Sequence, residues 1–220
     1  TSIGPGAFGS CSGLTSVTFL GTPPSLGVNV FSGVAGGARV YYLPGAAGWS
    51  SSYGGLPTVQ LSPPTLSTIS TLSGGTEDTA FTITYAALAT ASNAAATDGA
   101  VVSFRIDAVS SGTLTKDGVA VIAGVTLLSI GETLLWTPAV NANGVLTACT
   151  VTATAWDGLL ASSNSVGVQV SVAAVNDAPV AVAQSITATE DTTFAGTLTG
   201  SDVEGSSLVY SVVTQATKGV

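Results

Sequence analysis

The sequence predicts an all-β chain assembled from repeated units, and three observations carry that reading. Apolar residues make up 45% of the 220 positions and charged residues 7%. The apolar set is mostly Val, Ala, Leu and Ile among Thr, Ser and Gly, a mixture that suits pleated strands and tight turns. Good helix formers are scarce, with no Met and only four Lys and Arg together. The second observation is a short period near the N-terminus. Ile3 to Cys11 aligns with Leu26 to Val34 at a constant shift of 23, since 26 − 3 and 31 − 8 agree, and the same shift carries Val17-Thr18-Phe19-Leu20 onto Val40-Tyr41-Tyr42-Leu43. The third is a longer period: Thr76-Glu77-Asp78-Thr79 returns as Thr189-Glu190-Asp191-Thr192. Fixed periods of this kind mean stacked or tandem supersecondary units.

Residues 1–61 form the first expected unit. A period between 20 and 29 residues with recurring Leu, Phe and Val predicts a solenoid with one strand per coil. Trp49, Tyr53 and Leu56 are placed to cover its end. An aromatic platform for a glycan, built from Tyr41, Tyr42, Trp49 and Tyr53, is the functional alternative, and closure of the core is the preferred reading. Ser62-Pro63-Pro64 then acts as a linker, because Pro does not continue a central strand.

The second unit, 62–178, carries period-two alternation bounded by turn residues: Phe81 to Tyr85, Val101 to Ile106, Thr133 to Trp136, Leu146 to Ala155 and Ser165 to Val172. Five to seven strands over such a length predict an antiparallel sandwich. The third unit, 179–220, begins a further copy and holds about half of one.

Composition excludes several functions. The formal net charge of −8 argues against nucleic acid and anionic membranes as partners. No apolar run is long enough for a transmembrane helix. There is no His and no Cys-x-x-Cys, so neither a structural zinc site nor the usual catalytic triads can be assembled. Paired carboxylates could hydrolyse glycosides, but the acids here sit in repeat punctuation, and a non-enzymatic role is expected. Cys11 and Cys149 fall in different units and are expected to behave as small buried hydrophobes rather than as a disulfide. Thr1-Ser2-Ile3-Gly4 carries no initiator Met and no signal core, so the sequence is expected to be a segment of a longer, secreted protein.

Two resemblances sharpen these expectations. Ile-Gly-x-x-Ala-Phe-x-x-Cys-x-x-Leu-x-x-Val, from Ile3 to Val17, resembles the leucine-rich repeats of bacterial surface antigens of the BspA-like type. That resemblance implies that Phe8, Cys11 and Leu14 face a solenoid core; the second coil departs from it with Val34 and Gly37 in place of the Cys and Leu. Residues 64–220 resemble bacterial cadherin-like tandem repeats, through Ala155-Trp156-Asp157-Gly158, Asn176-Asp177-Ala178-Pro179 and Ser201-Asp202-Val203-Glu204-Gly205 with the strand that follows.

The cadherin resemblance implies calcium between successive repeats, with Glu77, Asn176, Asp177, Asp202 and Glu204 as ligands. Ca²⁺ takes six to eight oxygens in irregular geometry, which suits ligands gathered from separate loops. One linker acid and a late acidic pair of the family pattern are missing, which implies a single ion. The alternative reading is solvated turns, where Asp and Asn bond to local backbone; it is preferred for Asp98 and Asp157, and Asp107, Asp117 and Glu132 are expected to be surface turn residues. The resemblances imply an extracellular, cell-surface structural protein, a stalk or adhesin whose partners are neighbouring repeats or copies of itself and a surface protein or glycan. The alternative is a subunit of a filament or surface lattice, assembled by strand complementation between incomplete sandwiches.

Overall fold

The structure is a computed structural model that describes residues 1–155, 158–214 and 217. Asp157 and its neighbour Trp156 lie outside the described residues.

The N-terminal unit contains β1 (Ser2–Ile3), β2 (Ser16–Phe19), β3 (Ser25–Leu26), β4 (Arg39–Tyr42), β5 (Ser52–Tyr53) and β6 (Leu56–Gln60). The sequence shift of 23 is also its physical register. β1 pairs with β3 in parallel, placing Ile3 beside Leu26, and β2 pairs with β4 in parallel, placing Val17 beside Val40. Between these strands Phe8 N–H donates to Val30 O at 2.9 Å, and the Phe8 and Phe31 rings stack at 5.4 Å. β6 continues the ladder on β4, and β5 folds back on β6 through Gly54 and Gly55, both at positive φ. Trp49 and Tyr53 are half-buried with their rings 4.9 Å apart, and both polar tips point into the unit, to Gly21 O and Pro24 O. That use of the indole N–H and phenol O–H is what buried aromatics need. Cys11 departs from expectation: it is exposed, and Phe8 and Leu14 are only half-buried, because the turn carrying them is covered from one side only, by the turn carrying Phe31.

The sandwich is built from β7 (Leu72–Thr76), β8 (Phe81–Thr84), α1 (Tyr85–Ala91), β9 (Val102–Val109), β10 (Thr113–Lys116), β11 (Val119–Ala120), β12 (Leu127–Leu128), β13 (Thr133–Thr137), β14 (Gly144–Ala155), β15 (Leu160–Ala161) and β16 (Val166–Ala173). One sheet has the order β11-β10-β13-β8, and the other β12-β9-β14-β16-β7 with β15 on β14. Alternation places the core between them. Val168, Val170 and Val172 of β16 are buried while Gln169 and Ser171 are exposed; Leu134 and Trp136 of β13 point inward and Leu135 outward. Phe104, Ile106, Ile83, Leu128 and Val151 are also fully buried.

Three local features differ from the sequence expectation. Tyr85 does not extend its strand but opens α1. Thr84 caps that helix, its Oγ1 accepting from Ala87 N at 3.0 Å, and Leu88 is its buried anchor. The sandwich is not wholly antiparallel either, since β7 runs parallel to β16, with Leu72 beside Val170. The first and last strands of the unit therefore point the same way, and the chain joins the sandwich at one end and leaves it at the other.

The third difference concerns acids. Asp107 is no turn residue but sits in β9, its carboxylate accepting from Arg105 at 3.0 Å, from Ser165 at 2.8 Å and from Thr152. Burial alone would raise this carboxyl, but the Thr152, Ser165 and Arg105 hydrogen bonds, with the Arg105 charge, outweigh it and hold it below the usual range. A lowered folded pKa stabilises above the unfolded value and is lost as pH falls through the folded one. We therefore expect Asp107→Asn to flatten the acid limb of a urea stability–pH profile, and an unchanged limb would remove Asp107 from it. Glu132 lies in a turn as expected and also pairs with Lys116 Nζ at 2.7 Å. Asp117, with φ of 52°, and Gly118 form the two-residue hairpin turn between β10 and β11, the backbone an Asp-Gly pair favours. Cys149 is buried as expected, and burial, then the Asp107 charge, pushes its thiol up to about 12.

The last segment contains β17 (Val180–Ala181) and β18 (Gly200–Ser201), paired antiparallel. Among the described residues no helix is long and apolar enough to cross a membrane.

Candidate metal centre

The Thr-Glu-Asp-Thr phrase makes the same turn twice. Asp78 and Asp191 adopt left-handed φ of 56° and 57°, a region that Asp tolerates better than most residues. In the first copy this turn ends β7, and Glu77 N–H donates to Ala173 O at 3.0 Å at the end of β16. The Glu77 side chain is 1% exposed and turns inward. One carboxylate oxygen accepts from Asn143 Nδ2 at 2.9 Å and the other from Val175 N–H in the departing linker. Those bonds, Asn143 first, hold the Glu77 carboxyl below its ordinary value against the opposing effect of burial. The repeated phrase is thus a clasp in its first copy: it ties the end of the sandwich to the chain leaving it.

Two further acids close on the clasp. Carboxylate oxygens of Glu77, Asp177 and Glu204 lie within 4.8 Å of one another. Glu204 also accepts from Asp177 N–H at 3.1 Å, which folds the loop after β18 back onto the linker. Burial, then the charges of Glu204, Asp78, Glu77 and Asp202, pushes the Asp177 carboxyl above its ordinary value. Such crowding of like charges disfavours ionisation until a cation neutralises it. An ionised carboxylate has about four lone-pair sites, so the bonds Glu77 already accepts leave it acceptor capacity.

The other sequence candidates are close but differently engaged. Asn176 Nδ2 donates to Asp177 O at 3.0 Å, and Asp202 accepts from Ser206 N–H at 2.9 Å. Asp202 therefore adds charge to the cluster while its carboxylate holds a local turn. Asp98 serves the preceding linker: it accepts from Ser62 N–H at 2.9 Å and from Ala100 N–H at 3.1 Å.

Three participants were not anticipated. Asp78 accepts from Asn141 N–H at 2.9 Å. With its amide oriented to satisfy its neighbours, the Asn141 side chain donates to Asp78 and Asp177 at 3.2 and 3.1 Å, an orientation assigned from hydrogen bonding. Asn143 completes the set through Glu77. Both asparagines come from the β13–β14 loop, and the only sequence signal for them is the Asn141-Ala142-Asn143-Gly144 turn itself.

The Bacterial Ig domain family matches residues 176–220, the segment that begins in this linker and carries Asp202 and Glu204. Neither a curated protein nor a solved structure matches the chain. The match supports the immunoglobulin-like part of the reading, alongside described residues that are mostly β with one short helix among them.

Proposed function

We propose that this chain is a non-enzymatic spacer segment of a bacterial cell-surface protein, a stalk or adhesin made of end-to-end immunoglobulin-like repeats. One observation carries the reading: β7 and β16, first and last in the sandwich, run parallel, so successive repeats join at opposite ends of each unit. Pulling on such a chain loads adjacent, hydrogen-bonded strands along their length. The Bacterial Ig domain match beginning at residue 176 supports a repeat following directly; the units are taken as 62–178 and 179–220. Residues 1–61 are taken as leucine-rich coils that cap the array; the parallel register of 23 residues supports this. Partners are neighbouring repeats, with a surface protein or glycan at the far end, and the location is extracellular.

Calcium belongs to the same proposal. Glu77, Asp177 and Glu204 would hold the ion, with Asn176 and Asp202 flanking, and its charge would offset the crowding that raises Asp177. A bound divalent ion would stiffen the linker at the clasp.

Electron microscopy of the native protein with its mass measured, before and after EGTA, tests the reading. Single rods of mass far above 21.4 kDa that become more flexible in EGTA are the expected result. Filaments of units near that mass would replace the stalk with a lattice subunit completed by its neighbours' strands.

A further inference from the structure

The sequence contains a single Asn-Gly step, Asn143-Gly144, and it falls on the clasp. Asn143 is exposed, and Gly144 has a φ of +87° with open space where a Cβ would stand. An Asn side chain is one carbon long, so attack by the following backbone nitrogen closes a five-membered ring. A following glycine leaves that approach sterically open and its backbone free to adjust. We propose that Asn143 is a spontaneous deamidation site, and that its conversion releases Glu77 from the clasp and loosens the joint after β16.

The chemistry needs only water. Gly144 N bonds to Asn143 Cγ, the Cγ–Nδ2 bond breaks, and ammonia leaves with the Gly144 amide proton. Water then opens the succinimide at one of its two carbonyls. Opening at Cγ gives aspartate; opening at the backbone carbonyl gives isoaspartate, with the chain routed through the side chain and longer by one carbon.

Each product attacks the joint in its own way. The Nδ2 donor that Glu77 accepts at 2.9 Å is lost in both, and a carboxylate faces a buried carboxylate instead. Like charges so placed disfavour one another strongly. Isoaspartate also lengthens the backbone immediately before β14, whose first residue Gly144 pairs with Val172. β14 lies between β9 and β16, so a shift there is felt on both sides of the sheet. Asn141, two residues earlier, precedes Ala142 and makes a natural internal control.

The test is to age the purified chain in mildly alkaline buffer at body temperature and map the asparagines by mass spectrometry, separating aspartyl from isoaspartyl peptides. Conversion at Asn143 several-fold faster than at Asn141, with the aged protein melting lower than fresh and like Asn143→Asp, is the expected result. Conversion at Asn143 no faster than at Asn141 would overturn the site. An aged, converted sample that melts with the fresh protein would overturn its effect on the clasp.

Discussion

Trp136→Ala should remove a large share of the sandwich's stability. Trp136 is fully buried near the end of β13, and its indole N–H donates to Ser111 O at 2.8 Å. Truncating a buried Trp costs about 3–5 kcal/mol, against a total of about 5–15 kcal/mol for a whole domain. The substitution also leaves the Ser111 carbonyl without its indole partner. Urea unfolding checks the prediction: the midpoint should fall steeply with an unchanged slope. Leu135→Ala is the control, because Leu135 lies on the other face of the same strand and is 45% exposed; its midpoint should barely move.

That pair of substitutions also marks where the sequence was legible. Period-two alternation marked the strands that carry Leu134, Trp136, Val168, Val170 and Val172, and their burial follows that alternation. The helix at Tyr85–Ala91 could not be read this way, because seven residues show too little of a helical period and Tyr85 continues the β-like run before it. Parallel pairing of β7 with β16 was hidden for another reason: alternation says which face is buried but nothing about the neighbour. The acids divide in the same way. Glu77 stood out because its phrase repeats, and Asp177 and Glu204 because they punctuate the junction. Asp107 was misread because what makes it structural, Thr152 and Ser165, lies 45 and 58 residues away. Asp78, Asn141 and Asn143 were missed for that same non-local reason, since the asparagine loop reaches the clasp across 63 to 66 residues. Short-range patterns report burial, whereas hydrogen-bond partners are decided by topology.

Asp177→Asn should stabilise the calcium-free junction at neutral pH and abolish any gain from calcium. The sign follows from Asp177 having its carboxyl raised in the folded chain, by burial first and then by Glu204, Asp78, Glu77 and Asp202. A carboxyl raised on folding binds its proton more tightly in the native state, so its contribution is favourable below the unfolded pKa and is lost as pH rises through the folded one. At neutral pH the net effect of the charge is a penalty despite the bond from Asn141, and the amide removes it. Glu77 has the opposite sign: lowered by Asn143 and Val175, it stabilises above its unfolded value and is lost as pH falls through the folded one. Acid should therefore relieve Asp177 while it disarms Glu77, and only the first effect disappears in the variant. A cation bound at the cluster would reverse the penalty at fixed pH, and a ligand at a hundred times its Kd adds about 2.7 kcal/mol. Thermal melts at neutral and acid pH, in EGTA and in millimolar calcium, separate these terms. We expect the unsubstituted chain to melt higher with calcium, and Asp177→Asn to melt at one temperature in both buffers, above the unsubstituted chain in EGTA. Magnesium should substitute poorly, because it demands a tighter and more regular shell than three carboxylates from separate loops supply. If calcium leaves the unsubstituted chain unmoved while Asp177→Asn still stabilises it, the cluster is a charge-strained clasp and not an ion site; if neither changes the melt, the crowding at Asp177 carries no weight in the fold.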